Sequence, residues 1–333
     1  MFKKIVIFVF VLLCLTAAGT FVLTRPWFVV RIVRSAVNAR ASGWALTDLT
    51  IGKMAVDHKG SVIVEDARFA INQGEGKWQG EVPVFYLDTL QSLAGPQKKV
   101  TMEVAGAKVR SDMAQLQGIS VKVTLRLTEK KWRIDGGSVH IDSLAAQAIL
   151  LKALEARFGG DRDALTVDSW QAKWADGNLS GRLTVSPEAY TMHADVAQVD
   201  LSQIALQVRD MRGRLDGTVD IEIERATNAI GALKGYLDAP QGAELHAVFL
   251  QPLLTYIPAS NQKNILEQLI TENANVFFDH AGVHLENVRN DALHFLIEMD
   301  SKKLNLDIGV TVDLHVEGGL KSLLERLPQF ISG

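Results

Sequence analysis

The sequence predicts a mainly β fold, an antiparallel sheet of repeated hairpins that follows an apolar N-terminal helix. Three observations lead to this prediction. Segments such as residues 119–127 alternate apolar and polar side chains without a break, which puts the apolar ones on one sheet face. Glycine-containing turn signals, such as Asp135-Gly136-Gly137, separate these segments. Residues 5–23 carry no charge and are long enough to span a membrane as one helix.

The N-terminal segment, residues 1–28, is predicted to be a transmembrane anchor. At about 1.5 Å per residue its apolar run would be about 28 Å long, close to the roughly 30 Å hydrocarbon core of a bilayer. Lys3 and Lys4 precede the run, and we expect them in the cytoplasm with the body of the protein exported. The anchor residues are predicted to include Ile5, Phe8, Leu12, Leu15, Leu23 and the interfacial Trp27.

A cleaved signal peptide is the alternative for this segment. Thr16-Ala17-Ala18 supplies the small residues that a signal peptidase requires. The apolar run continues through Leu23 and exceeds the usual length of about 7 to 15 residues for the apolar region of a signal peptide, which favours the anchor.

The body is predicted to begin after a short juxtamembrane helix or packed linker at residues 29–42, and to extend over residues 43–319. Helical insertions are predicted near residues 143–158, closed by Gly159-Gly160, and near residues 260–272, after Pro258. Residues 320–333 are predicted to form an amphipathic helix. The remaining segments with strand periodicity are residues 49–51, 61–71, 82–87, 100–109, 132–141, 179–185, 192–199, 233–237, 245–249, 283–288 and 304–316.

A Leu-x-Gly tripeptide recurs at Leu179-Ser180-Gly181, Leu215-Asp216-Gly217 and Leu233-Lys234-Gly235. Each of the three glycines precedes a segment with strand periodicity. The spacing is compatible with one hairpin per repeat, which is how a sheet grows by addition of hairpins. Chance recurrence of so short a pattern is the other interpretation.

Composition and motifs argue against several classes of function. A net charge of −3 with dispersed Lys and Arg provides no cationic surface for nucleic acid. The single cysteine, Cys14, lies in the apolar N-terminal run, so neither disulfides nor Cys-based metal sites are expected. No sequence motif of a hydrolase, metalloprotease or nucleotide-binding loop is found. We therefore expect no enzymatic activity, no cofactor and no metal.

Two groups of polar residues are candidates for metal ligands. His280 and His284 would share one face of a helix, but Gly282 between them indicates a turn followed by a strand. Asp161, Asp163 and Asp168 lack the spacing and the terminal Glu of a calcium-binding loop. Both groups are expected to be solvated surface residues.

The chain resembles the AsmA-like family of envelope proteins. The resemblance rests on the N-terminal membrane helix and on LTIGKMAVDHKGSVIVEDARFAI followed by GEVPVFYLDTLQSL. It extends to the segment MHADVAQVDLSQIALQVRDMRGRLDGTVDIEIE and to the last strand run, MDSKKLNLDIGVTVDLHVEGGLKSLLERL. It covers most of the chain, although large members of the family are several times longer.

The resemblance implies an elongated antiparallel β-groove, taco-like in section, that shields phospholipid acyl chains between the inner and outer membranes. The protein would be a single-pass bacterial inner-membrane protein with its body in the periplasm. About 14 to 18 strands at about 4.8 Å would reach roughly 65 to 85 Å, so crossing the periplasm would require other envelope proteins or self-association. The residues predicted to line the groove are Ile119, Val121, Val123, Leu125, Val219, Ile221, Ile223, Ile308, Val310, Val312 and Leu314.

The same periodicity also fits a closed β-sandwich, because two packed sheets would bury the same side chains. In that case the protein would be a structural or assembly factor of the envelope or of a secretion complex, without bound lipid.

Overall fold

A computed structural model of the chain shows a mainly β protein of antiparallel hairpins, as predicted. It divides into two compact units, unit 1 up to Leu144 and unit 2 from Ala145. The residues that the structure describes are 44–57, 61–73, 76–88, 99–112, 114–128, 131–146, 149–160, 164–204, 211–225, 230–255, 257–288 and 292–315.

Unit 1 is built from long strands, and each of the first four pairs antiparallel with the next. The sixth lies beside the fifth, where Arg126 contacts Asp135. The strands are β1 (Trp44–Val56), β2 (Val62–Gln73), β3 (Gly76–Asp88), β4 (Lys99–Arg110), β5 (Ala114–Thr128) and β6 (Lys131–Ala146).

A line of irregularities crosses β1 to β5. Two exposed residues follow one another at Gly52-Lys53 in β1 and at Pro83-Val84 in β3, so the half-buried positions change from one residue parity to the other. The neighbouring strands carry residues with positive φ in the same region: Asp66, Gly106 and Gly118. Extra residues of this kind bend a strand and increase its twist while keeping its apolar side chains on one face.

Unit 2 continues the hairpin pattern from β7 to β12 and is completed by β15 to β17. These strands are β7 (Ile149–Gly160), β8 (Leu165–Trp174), β9 (Gly177–Val185), β10 (Ala189–Asp200), β11 (Arg212–Glu224), β12 (Ile230–Asp238), β15 (His280–Val288), β16 (Ala292–Ser301) and β17 (Leu306–His315). A short helix, α1 (Leu201–Ile204), follows β10.

An insertion separates β12 from its partner β15. It contains the hairpin β13 (Ala243–His246) and β14 (Asn275–Phe278), a 3-10 helix (Ala247–Thr255) and α2 (Asn261–Thr271). The hydroxyl of Ser260 accepts the backbone N–H of Lys263 at 3.2 Å and caps the start of α2. The helix ends at Thr271 with Glu272 as its C-cap, and Asn273, the next residue, has a left-handed φ of 56°.

The insertion supplies the main hydrophobic core of the described chain. Leu250 from the 3-10 helix, Leu266 from α2 and Phe278 from β14 are at most 2% exposed. They pack with β16 and β17 in one cluster, which consists of Ala247, Leu250, Leu266, Val276, Phe278, Met299, Leu306, Ile308 and Val310.

The predicted elements have mixed outcomes. The helix near residues 260–272 is confirmed as α2. The helix at residues 143–158 is wrong, because β6 ends at Ala146 and β7 occupies most of the range. Pairing of β7 with β8 overrides the helical propensity of its Leu and Ala residues, and a register shift between Lys152 and Glu155 obscures the period of two.

Other predicted strands differ in extent from the observed elements, and some predicted segments lie outside the described residues. The strand at residues 245–249 becomes the end of β13 and the start of the 3-10 helix. The strand at residues 304–316 begins only at Leu306, after a turn. The anchor (1–28), the juxtamembrane segment (29–42) and the C-terminal segment (320–333) lie outside the described residues. Within the described part of the chain, no helix has the length and apolar character needed to cross a membrane.

The three glycines of the Leu-x-Gly repeat lie inside strands β9, β11 and β12 and do not precede them. A methyl group added at Gly181 or Gly217 would overlap the carbonyl oxygen of His193 or Tyr236, respectively. At Gly235 it would lie 2.8 Å from the Thr218 carbonyl oxygen. Glycine is therefore required at these positions for close approach of the neighbouring strand.

Candidate functional site

One face of the unit 2 sheet is apolar across many strands. The register places one side chain from each of β7 to β12 in a line, which we call the Ile221 row: Phe158, Val167, Leu183, Met192, Ile221 and Leu233. All six side chains are half-buried. At about 4.8 Å between strands the row is about 24 Å long.

A second line of the same face, the Val219 row, continues further through the sheet. It consists of Trp170, Gly181, Ala194, Val219, Gly235, Leu285, Phe295 and Val312. Two glycines of the repeat lie in this row, where they allow the strands to approach each other. The two rows together form a continuous apolar surface without a charged residue.

The apolar face differs in exposure between its two ends. At β16 and β17 it lies under the insertion, and Ile308 and Val310 are 4% and 3% exposed. Over β7 to β12, the described side chains of the two rows are half-buried, and no residue of the Ile221 row belongs to the insertion core. We call this second part, formed by the Ile221 row and by the Val219 row as far as Gly235, the open face.

The opposite face of the same strands is charged. One line across it consists of Arg182, His193, Asp220, Lys234, Glu286, His294 and Asp313. His193 Nδ1 lies 2.7 Å from Asp220 Oδ1, and His294 Nδ1 lies 2.6 Å from Asp313 Oδ1. This face is suited to water, and the contrast with the apolar face makes the sheet two-sided.

Unit 1 has a similar apolar side. One line consists of Met54, Val64, Phe85, Val104 and Val121, and the next of Val56, Val62, Leu87, Met102 and Val123. Of the apolar residues of unit 1 that the structure describes, only Leu46, Val64, Ala107 and Ile141 are buried. Unit 1 therefore keeps most of its apolar side half-exposed.

The predicted groove residues fall into two environments. Ile119, Val121, Val123 and Leu125 of β5 and Val219, Ile221 and Ile223 of β11 are half-buried on apolar lines. On β17, Ile308 and Val310 are part of the insertion core, and Val312 packs against it. Leu314 pairs with Leu293 through the backbone. We do not include the β17 residues in the open face, because protein side chains surround Ile308 and Val310.

Sequence reasoning missed several members of the open face. Phe158 lies in the segment that was predicted to be helical, and Val167 and Trp170 lie in β8, which was not among the predicted strands. The alternation of apolar and polar residues in residues 165–174 is broken by a register shift between Val167 and Trp170. The apolar residues on either side of this shift were the sequence signal from which β8 could have been predicted.

Three charged side chains meet on the polar side of unit 1. Asp135 lies 3.0 Å from Lys99 Nζ and 2.8 Å from Arg126 Nη2. The hydrogen bond from Lys99 and then that from Arg126 lower the pKa of the Asp135 carboxyl below its ordinary value. Lys99 and Arg126 lie directly opposite each other in the pairing of β4 with β5, so Asp135 also offsets their repulsion.

His280 and His284, the two histidines considered above as metal ligands, each lie beside one carboxylate on the sheet surface. His280 Nδ1 lies 3.2 Å from Asp238, and His284 Nε2 lies 3.5 Å from Glu298. Within the described ranges, no group of three or more His, Cys, Asp or Glu side chains is arranged to hold a metal ion.

Comparison of the chain with protein-family models, with curated proteins and with solved structures found no match.

Proposed function

We propose that this protein binds phospholipid acyl chains on the open face and shields them from water during transport between the inner and outer membranes. The observation that carries the proposal is the open face itself, a charge-free apolar surface that stays half-exposed across six strands. Extended apolar patches on soluble domains mark binding grooves or interaction sites. The AsmA-like resemblance of the sequence selects lipid among these.

The dimensions and chemistry of the open face suit an acyl chain. One leaflet is about 15 Å thick, half of the roughly 30 Å hydrocarbon core, and the Ile221 row of about 24 Å exceeds this. Each methylene group that leaves water for such a surface gains about 0.8 kcal/mol. Because the rows are uniform, this gain is similar at successive positions, and a chain can slide without a large barrier. No cofactor or bond-making step is needed.

The proposed location is the bacterial inner membrane, with residues 1–28 as anchor and the body in the periplasm. The partners in this proposal are membrane phospholipids. Other envelope proteins or further copies of the chain would extend the path across the periplasm.

The experiment that tests the proposal is quantification of lipid that copurifies with the full chain. Lipids are extracted after extensive detergent washing and measured by mass spectrometry as moles per mole of protein. We expect near-stoichiometric phospholipid in the wild-type protein and severalfold less in Ile221→Arg, which places a charge on the open face.

The matched control is Glu222→Arg, which places the same arginine side chain at the adjacent, exposed position of β11, on the charged face. It should retain lipid, and circular dichroism should show that both variants are folded. A folded wild-type protein without lipid would contradict the proposal and favour the closed sandwich with an assembly role.

A further inference from the structure

A positively charged side chain, that of Arg225, lies where the apolar surface of β10 and β11 ends. Arg225 directly follows β11 and has the same parity along the chain as Val219, Ile221 and Ile223. Its guanidinium carbon lies 5.8 Å from the centre of the Tyr190 ring. Tyr190 itself is the cross-strand partner of Ile223 and Val185, in the apolar line next to the Ile221 row. The guanidinium is therefore on the apolar side of the sheet, at its edge.

Hydrogen bonds hold both the backbone and the side chain of Arg225 in place. Its N–H donates to the Glu188 carbonyl at 2.8 Å, and its Nη1 donates to the Ser186 carbonyl at 3.3 Å. Stacking on Tyr190 adds a cation–π contact. A guanidinium has five N–H donors in a planar fork, and the Ser186 carbonyl engages one of its groups. Arg225 is exposed, so its remaining donors are accessible from solvent.

This arrangement matches the chemistry of a lipid that carries a phosphate. Ile223 and Ile221 lie two and four residues before Arg225, about 7 and 13 Å along the strand. An acyl chain that lies on the open face and runs along β11 past Ile221 and Ile223 would thus have its polar end within reach of the guanidinium. Arginine binds phosphate oxygens in a bidentate manner, and tyrosine is suited to a boundary between apolar surface and water.

We propose that Arg225 binds the headgroup phosphate of a lipid whose acyl chain lies on the open face. The inference rests on the proposed function and adds a ligand class, glycerophospholipid in preference to neutral diacylglycerol. Tyr190 acts as the positioning residue that holds the guanidinium at the edge.

The test is native mass spectrometry of the full chain, released from mild detergent and titrated with two lipids that share their acyl chains. Dioleoylphosphatidylglycerol carries the phosphate and dioleoylglycerol lacks it. We expect Arg225→Gln to lower occupancy by the phospholipid about three- to tenfold and to leave occupancy by dioleoylglycerol unchanged. Arg225→Lys, which keeps the charge, should lose less than Arg225→Gln.

The matched control is Arg182→Gln, which removes an exposed arginine from the opposite, charged face of β9 and should leave both lipids unaffected. An unchanged phospholipid occupancy in Arg225→Gln would overturn the inference and leave the proposed function standing. Equal loss of both lipids would also overturn it, because Arg225 would then act through the fold.

A third titration with inorganic phosphate separates the headgroup from the acyl chain. Binding of phosphate alone that depends on Arg225 as strongly as the phospholipid does would mean a site independent of the open face, against the inference. Binding of neither lipid to the wild-type protein would overturn the proposed function together with the inference.

Discussion

The two ends of the unit 2 apolar face have the same sequence pattern and different surroundings. At β16 and β17 the 3-10 helix and α2 cover the face, and Leu306 and Leu266 are fully buried. Over β7 to β12 the same alternation leaves Ile221 and its neighbours half-exposed. The difference teaches that strand periodicity determines which side chains share a face, whereas an inserted segment determines whether that face becomes core.

The strongest test of the comparison is a substitution that creates a cavity at the end of the apolar face that the insertion covers. We expect Leu266→Ala to lower the free energy of unfolding by about 3 kcal/mol, because Leu266 is completely buried among core side chains. Urea unfolding followed by circular dichroism measures the loss. Glu267→Ala, on the exposed side of α2, is the control and should change stability by less than about 0.5 kcal/mol. Equal effects would show that α2 does not stabilise this end.

Close packing of β11 against β12 is tested at Gly217. We expect Gly217→Ala to cost about 2 kcal/mol, because the added methyl would overlap the Tyr236 carbonyl oxygen and force the strands apart. Gly309→Ala is the control, since a methyl there meets no atom within 4 Å. It should instead stabilise the strand by about 0.5 kcal/mol. Thermal unfolding of both variants distinguishes a required glycine from a tolerated one.

The open face itself should tolerate truncation better than the core. We expect Ile221→Ala to lower the free energy of unfolding by about 1 kcal/mol, because a half-exposed side chain loses less transfer free energy and leaves no closed cavity. The measurement is the same urea titration as for Leu266→Ala. A loss as large as that of Leu266→Ala would mean that protein covers the open face, and the comparison would fail.

The smallest expected effect concerns the charged side of unit 1. Asp135 has a lowered pKa, so its ionised form stabilises the fold above the ordinary value of 3.8, and this contribution is lost as the pH falls through the lower folded pKa. We expect Asp135→Asn to lower the unfolding temperature slightly at about pH 7, with a difference from wild type that shrinks below about pH 4. A difference that is independent of pH would contradict the ion pairs with Lys99 and Arg126.

The sequence predicted the strands whose alternation is regular, as in β5 and β11, because a period of two is the direct consequence of the pleat. It failed at β7, where Leu and Ala residues favour helix and only pairing with β8 selects the strand. The burial of the apolar face at β16 and β17 could also not be predicted from the sequence. Ile308 and Ile221 have the same local pattern, and what separates them is α2, which lies distant from both in the sequence.

The order in which the strands pair has a consequence for folding. Almost every strand pairs with the one just before it in the chain, so each hairpin closes a short loop and can form while later strands are still being synthesised. Among the described strands β15 is the clearest exception, because it pairs with β12 across the whole insertion, where Gly282 lies opposite Asp238. Within the insertion, β13 also pairs with β11. The last three strands must therefore wait for the insertion to fold, and this makes it the slow step we expect in assembly of the body.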